Sequence, residues 1–313
     1  MNFGLNEIKT LVDFNRYLIV IVGPTAVGKT ELCINLAKIF NTEIISCDSR
    51  QFFRETKLGT AKPTAGELAQ VKHHFIDSLS IQDSYDVKSF EKDALVLLED
   101  LHQKHKLVIM TGGSGMYVDA ICNGFDDIPD INSAIRFEII SDYEKYGLEF
   151  LQNEVEKYDP FYFQQVDRQN PQRLMRALEV IKGTGKTFSS FRVKRKTKRP
   201  FQIIKIGLEL DREVLYNRID LRMDLMIESG LFEEAETLYP FRTLNALQTV
   251  GYTEIFGYLE GKYDKEEAVR LLKRNSRRYA KRQMTWFRKD EEIKWFYPNQ
   301  EQMIHQYILN QIG

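Results

Sequence analysis

Tyr17-Leu18-Ile19-Val20-Ile21-Val22-Gly23-Pro24-Thr25-Ala26-Val27-Gly28-Lys29-Thr30 is the stretch from which the fold is read. Six consecutive apolar residues without alternation suit a strand buried on both faces, as in a parallel sheet. A glycine-framed turn ending in Lys-Thr follows, and Glu31 to Phe40 carries apolar residues at helical spacing. Strand, glycine-rich turn, Lys-Thr and helix form the phosphate-binding loop in the context its physics requires. The glycines let backbone N–H groups converge on phosphate oxygens, and the helix N-terminus adds a favourable dipole. Gly23, Pro24, Thr25, Ala26, Val27, Gly28, Lys29 and Thr30 are therefore expected to hold a di- or triphosphate. Lys29 would reach an outer phosphate and the Thr30 hydroxyl would ligate Mg²⁺. The competing reading, a βα turn that binds nothing, does not account for every fixed position being filled.

The chain of 313 residues is long enough to bury one large core or two smaller ones. It has no apolar run of about 18 residues, so no membrane-spanning helix is expected. Glu7, Lys9 and Asp13 interrupt the N-terminal segment, which does not read as a signal peptide, and a cytoplasmic protein is expected. Cys33, Cys47 and Cys122 are scattered, which points to reduced thiols. With a formal net charge of −1, the total says nothing about a polyanionic partner, and the distribution of charge has to decide.

Glu43-Ile44-Ile45-Ser46 reads as a second strand ending at Cys47-Asp48-Ser49-Arg50-Gln51. Ligands of open α/β sheets bind at the carboxyl ends of strands, which places Asp48 where it could face the loop's ligand. A turn or N-cap aspartate is an equally good reading of that position. Leu58 to Pro63 is a small-residue turn, at the mouth of the site or simply on the surface. His73 to Asp77 resembles a short strand, whose adjacent histidines point to opposite sides and so do not suggest a shared metal. Val87 to His105 has helical spacing and leads into the strand Leu107–Met110. Phosphoryl-transfer enzymes often place a Mg²⁺-binding aspartate at such a strand end. Here the sequence runs Thr111-Gly112-Gly113-Ser114-Gly115 instead. The glycine pair suggests close approach of backbone to a ligand, or else a plain strand-to-helix turn.

From Phe125 the βα alternation gives way to short helical segments, with helices predicted over 133–146, 148–157, 160–166 and 171–181. The chain returns to the sheet with the strand Gln202–Leu208. The expected organisation is a parallel sheet flanked by helices over 1–124 and 201–313, with a helical insertion or lid over 125–200. Within the insertion, Arg173 and Arg176 share a helix face, which by itself reads as a solvated basic face. Arg192 to Arg199 holds six cations in eight residues and suits a mobile loop or an anionic contact. A helix opened by Asp211-Arg212 carries Arg218 and Arg222 four residues apart, so both could approach one phosphate. Arg270 to Lys289 holds nine Lys or Arg residues and no carboxylate, interleaved with Tyr279, Trp286 and Phe287. Unpaired cations on one helix repel each other, so this stripe is expected to face a nucleic-acid backbone.

Two classes of function fit these residues. One is a small-molecule kinase with a helical lid. The other uses the loop to hold a diphosphate leaving group while a nucleic acid attacks, and the missing strand-end acid and the basic surfaces favour it. A nucleic-acid-binding GTPase module should carry a base-specificity motif such as Asn-Lys-x-Asp, which is absent.

The ordered set Gly23–Thr30, Ile45–Ser49, Gly59–Pro63, Pro171–Glu179 and Ala280-Lys281-Arg282-Gln283-Met284-Thr285-Trp286 resembles the tRNA dimethylallyltransferase family over nearly the whole chain, in its bacterial form. The resemblance implies a P-loop NTPase-like fold and transfer of a dimethylallyl group from dimethylallyl diphosphate to N6 of adenosine 37, beside the tRNA anticodon. It implies Asp48 as the general base and Thr25 as a hydrogen-bonding group at the reacting centre. Lys29, Mg²⁺ on Thr30, and Arg218 or Arg222 would stabilise charge on the departing diphosphate. By the same resemblance, tRNA contacts fall on Asp48, Ser49, Arg50, Gln51, Gln172, Arg173, Leu174, Met175 and Arg176. The resemblance extends these contacts to Ser114, Arg136 and the Thr249–Tyr252 turn. Ser114 stands where relatives usually carry threonine. A monomer that binds the tRNA anticodon stem-loop, and no membrane, is expected. An adenylate isopentenyltransferase acting on free nucleotide is the alternative within this chemistry.

Overall fold

The computed structural model describes residues 16–193 and 197–313. In chain order the elements are β1 (Tyr17–Val22), α1 (Lys29–Ile39), β2 (Ile44–Ser46), α2 (Ala65–Leu68), β3 (His73–His74), α3 (Val87–Leu101), β4 (Leu107–Gly112) and α4 (Gly115–Asn123). Then follow α5 (Ser133–Tyr158), α6 (Pro160–Phe163), α7 (Pro171–Thr184), α8 (Phe188–Phe191), β5 (Gln202–Leu208) and α9 (Arg212–Glu228). The chain closes with α10 (Leu231–Leu238), α11 (Tyr252–Leu259), α12 (Lys265–Phe287), β6 (Lys294–Phe296) and α13 (Glu301–Ile312).

The six strands form one sheet in the order β3-β2-β4-β1-β5-β6, and the pairings are all parallel. β1 lies between β4 and β5, which is why all six of its residues are buried. Tyr17, Ile19 and Ile21 join the core beneath α1 and α13, and Leu18, Val20 and Val22 join the opposite core with α3 and α4. The chain leaves β1 toward β2 and leaves β4 toward β5, in opposite directions along the sheet. Such divergence opens a crevice at the carboxyl ends of the two neighbouring strands, where ligands of this architecture bind. A third core joins α9, α10, α11 and α12 through Met223, Leu231, Tyr252 and Leu272.

The chain divides into two compact units, one containing the sheet and the other spanning Asn123–Thr197. The second has its own core, in which Leu151, Val155, Leu174 and Leu178 are fully buried. Within it α5 breaks at Gly147, whose φ of 76° and ψ of −169° no helix accommodates, so the two predicted helices 133–146 and 148–157 abut there. α7 ends at Gly185 in the left-handed region, as its Gly-Thr-Gly sequence suggests. Among the described residues no helix is long and apolar enough to cross a membrane. Of the basic run 192–199, Lys194, Arg195 and Lys196 lie outside the described residues. Arg192 covers the Tyr162 ring, and Arg199 pairs with Glu91 at 2.5 Å and donates to the carbonyls of Ala120 and Ile121.

Candidate active site

The loop between β1 and α1 takes three left-handed turns, with φ of 147° at Gly23, 65° at Ala26 and 109° at Gly28. A Cβ on Gly23 would lie 2.6 Å from the Leu208 carbonyl oxygen, so only glycine fits against β5 there. Lys29 opens α1 and folds back over the loop, donating to the carbonyls of Gly23 (2.9 Å) and Pro24 (2.8 Å). An ammonium capped by two carbonyls has one N–H left to offer a ligand.

This loop forms one wall of a cavity of about 470 Å³ in the sheet-containing unit. Thr25–Thr30, Asp48, Arg218 and Arg222 all line it, whereas Gly23 and Pro24, also expected at the diphosphate, are not among its lining residues. Asp48 follows β2. Its Oδ1 accepts the Arg50 N–H at 3.1 Å, and its own N–H donates to Ser46 Oγ at 3.4 Å. Arg222 projects from α9 and donates through Nη2 to Thr25 Oγ1. Its Nε is buried with no hydrogen-bond partner among the described residues, a donor that a bound anion could meet. Burial pulls the Arg222 guanidinium below its ordinary value, and the Asp48 carboxylate opposes this. Arg218, one turn earlier, donates to the Val27 carbonyl at 3.4 Å. The two arginines therefore flank the loop at different points, Arg222 at Thr25 and Arg218 beside Val27 and Gly28.

The glycine pair at the end of β4 admits close neighbours from within the chain, and Gly112 also lines the cavity. A Cβ on Gly112 would lie 2.6 Å from Cys47 Sγ and 2.8 Å from the Asp48 nitrogen, so its absence lets β2 deliver Asp48 against β4. A Cβ on Gly113 would collide with the Gln283 side-chain amide. Gln283, buried on α12, donates to the Gly113 carbonyl at 3.0 Å and accepts the Thr25 N–H at 2.9 Å. It thereby ties the phosphate loop to the end of β4. The sequence assigned it no role, although it stands in the Ala280–Trp286 motif as an uncharged amide within a basic run. Tyr279, one helical turn earlier, also lines the cavity; burial first, then the Asp48 carboxylate, hold its phenol protonated.

The segment expected to touch tRNA is internally braced. Ser49 N–H donates to Ser114 Oγ (3.0 Å), and Arg50 Nη1 donates to the Asn245 carbonyl (2.7 Å). In the helical unit, Arg136 and Arg176 converge on Glu179 at 3.2 and 3.1 Å, and Arg136 also reaches Gln172. The side chains of Leu174 and Met175, two of the expected contacts, are only 0% and 4% exposed. Their side chains are core, because they lie on the inner stripe of α7 and leave the outer stripe to Gln172, Arg173 and Arg176. The basic stripe on α12 is also less bare than its sequence suggests. Arg277 pairs with Asp220 (2.5 Å) and Lys273 with Asp224 (2.6 Å), both acids coming from α9, and Arg270 pairs with Glu267. Self-repulsion is thus relieved at those three positions within the fold, whereas Arg278, Lys281 and Arg282 are exposed and form no ion pair among the described residues.

The sequence profile described as IPP transferase matches residues 51–290. The chain belongs to the IPP transferase family. A tRNA dimethylallyltransferase from Christiangramia forsetii is 52% identical over 300 residues, covering 96% of this chain and 99% of that one. The crystal structure of the full-length tRNA isopentenylpyrophosphate transferase from Bacillus halodurans superposes with a TM-score of 0.70 at 39% identity, covering 95% and 97% of the two chains. A eukaryotic dimethylallyltransferase, captured in crystallographic snapshots acting on tRNA, superposes with a TM-score of 0.73 at 28% identity over 87% of this chain and 70% of its own.

In this member of the family, Lys29 titrates within reach of ordinary assays. Desolvation, opposed by the Asp48 carboxylate, pulls its ammonium down to about 8. A bound diphosphate favours the ammonium form, so affinity for an alkyl diphosphate should be full below about pH 8 and fall by up to about tenfold per pH unit above it. Calorimetric titration from pH 7 to 9.5 checks this, and a flat profile would contradict it. The same shift acts oppositely on stability. The unfolded chain holds this proton more tightly, so the contribution of Lys29 to folding improves as pH rises from about 8 toward the ordinary lysine value.

Proposed function

We propose that the chain transfers the dimethylallyl group of dimethylallyl diphosphate to N6 of adenosine 37 in tRNA, releasing diphosphate. The observation that carries this reading is the shared cavity, where the phosphate loop, the half-buried Arg222 and the exposed Arg218 line the same space as the Asp48 carboxylate at the end of β2. The C–O bond to the allylic carbon breaks as N6 forms the new C–N bond, and the N6 proton passes to Asp48. An exocyclic adenine amine is a poor nucleophile because its lone pair is delocalised, so removing that proton as the bond forms lowers the barrier. The electron pair of the broken bond stays on the diphosphate. Loop N–H groups, Lys29, Arg218 and Arg222 stabilise it there, and stabilisation aimed at developing charge is the largest lever such a site has.

Because no phosphoryl group moves, the strand-end aspartate of a kinase is not needed, and the Thr111 hydroxyl at that place donates to the Ile21 carbonyl instead. The donor set fits Mg²⁺, which prefers hard oxygens and shares few protein ligands with substrate phosphates. Thr30, lining the cavity, would hold it together with the diphosphate, and when bound the ion supplies further charge neutralisation. In this reading tRNA meets Asp48–Gln51, Ser114 and the exposed cations of α12 in the sheet-containing unit; in the helical unit, taken by itself, it meets Arg136, Gln172, Arg173 and Arg176. Adenosine 37 must leave its stack to reach a recessed carboxylate.

The test is incubation of the protein with labelled dimethylallyl diphosphate, Mg²⁺ and either unmodified tRNA or AMP. Label should enter tRNA and not AMP. Transfer to AMP would favour the free-nucleotide prenyltransferase, and ATP-dependent phosphorylation of a small molecule without prenyl transfer would sink the proposal.

A further inference from the structure

Glu234 takes no part in the phosphate cradle. It sits in the first turn of α10, where the helix dipole favours an anion. Its carboxylate accepts three successive backbone N–H groups of the loop after Thr56: Lys57 at 3.0 Å, Leu58 at 2.9 Å and Gly59 at 3.1 Å. Consecutive N–H groups converging in this way form a nest for an anion, here filled by the protein's own side chain. The Tyr252 hydroxyl, from a side chain with no exposure, donates to the same carboxylate at 2.6 Å. Gly59 packs so tightly on the Tyr252 ring that a Cβ would lie 2.5 Å from it.

The loop held in this way continues into the cavity. The carbonyls of Thr60 and Ala61 accept from Gln51 Nε2 at 3.4 and 3.2 Å. Gln51 Oε1 accepts from Ser46 Oγ at 3.1 Å, and that oxygen in turn accepts the Asp48 N–H. Gly59, Thr60, Ala61 and Gln51 line the cavity together with Asp48.

We infer that Glu234 is a positioning residue for the acceptor side of the reaction: it fixes the 57–61 loop and, through Gln51, sets where Asp48 stands. The inference rests on the prenyl-transfer reading. The diphosphate side is built on β1, α1 and α9 and is tied by Gln283 to the end of β4, and none of the hydrogen bonds just named involves its phosphate-loop residues or arginines. Glu234→Gln tests the inference sharply. Both carboxylate oxygens accept backbone N–H groups, so an amide of the same shape must turn its NH₂ toward donors whichever way it flips.

The experiment measures kcat and KM for tRNA, and the affinity for dimethylallyl diphosphate, in E234Q, Gln51→Ala and the double variant. E234Q should lower kcat/KM for tRNA by about tenfold to about a hundredfold while holding diphosphate affinity within about twofold. The double variant should be no worse than Gln51→Ala alone, because both act along one path. If E234Q does not fold, Tyr252→Phe, which removes one donor to the same carboxylate, carries the test and must show the same split between tRNA and diphosphate. Losses that multiply in the double variant, or a parallel loss of diphosphate affinity, would overturn the inference. Wild-type transfer with E234Q unimpaired would defeat this inference alone; a wild-type protein that transfers nothing to tRNA would defeat the prenyl-transfer reading and this one with it.

Discussion

Asp48→Asn should cut single-turnover prenyl transfer to tRNA by about 10²- to 10⁴-fold, the usual worth of a positioned general base. The substitution keeps the shape of the side chain and its acceptor for the Arg50 N–H, so the 48–51 segment retains its local geometry. What is lost is the ability to take the N6 proton. The variant also removes the negative charge that raises the Lys29 ammonium, so a tightened response of diphosphate binding to alkaline pH should accompany the kinetic loss. Binding of tRNA, measured by filter retention or fluorescence anisotropy, should persist. A variant that transfers at near wild-type rate would move the base elsewhere.

Arg222→Ala is expected to lower kcat by about 10²- to 10³-fold, the cost of deleting one preorganised donor from a site that stabilises developing negative charge. The argument rests on burial and on an unmet donor. Arg222 Nε has no partner among the described residues, and Nη2 holds the Thr25 hydroxyl in place. Arg222→Lys should recover only part of the loss, since an ammonium cannot reproduce two directed N–H groups of a guanidinium. Arg218→Ala should cost less, because Arg218 meets the outer rim of the loop at Val27. Stopped-flow or quench measurements with saturating tRNA rank the three, and a larger loss in Arg218→Ala would reverse the assignment.

Much of this site was legible in the sequence because its signals are local. A phosphate loop is one turn of backbone, so the glycines at 23 and 28 and the Lys29-Thr30 pair report it directly. Asp48 was half legible: its strand end was clear, and the structure shows both the turn hydrogen bond from the Arg50 N–H and a place in the cavity wall. The glycine pair at 112–113 was legible as a place of close approach but not for its neighbours within the chain, Cys47 and Gln283, both distant in sequence. The bare charge of α12 misled in part for the same reason. Asp220 and Asp224, which pair with Arg277 and Lys273, lie on another helix, and helical periodicity carries no information across helices. Leu174 and Met175 show the converse, where a motif contiguous in sequence is split by the 3.6-residue period into a core stripe and a polar stripe.

By itself, then, the sequence determined the central parallel strand, the phosphate loop, the helical interruption of the sheet and the identities of Asp48, Arg218 and Arg222 as candidates. These follow from spacing, glycine tolerance and charge within windows of a few residues. Only the tertiary structure decided that Arg222 meets Thr25, that Gln283 clamps the loop to the end of β4, and that Glu234 holds the wall opposite. Hydrogen bonds between residues 175 to 258 positions apart depend on how three helices pack against one sheet, and no local pattern encodes that packing.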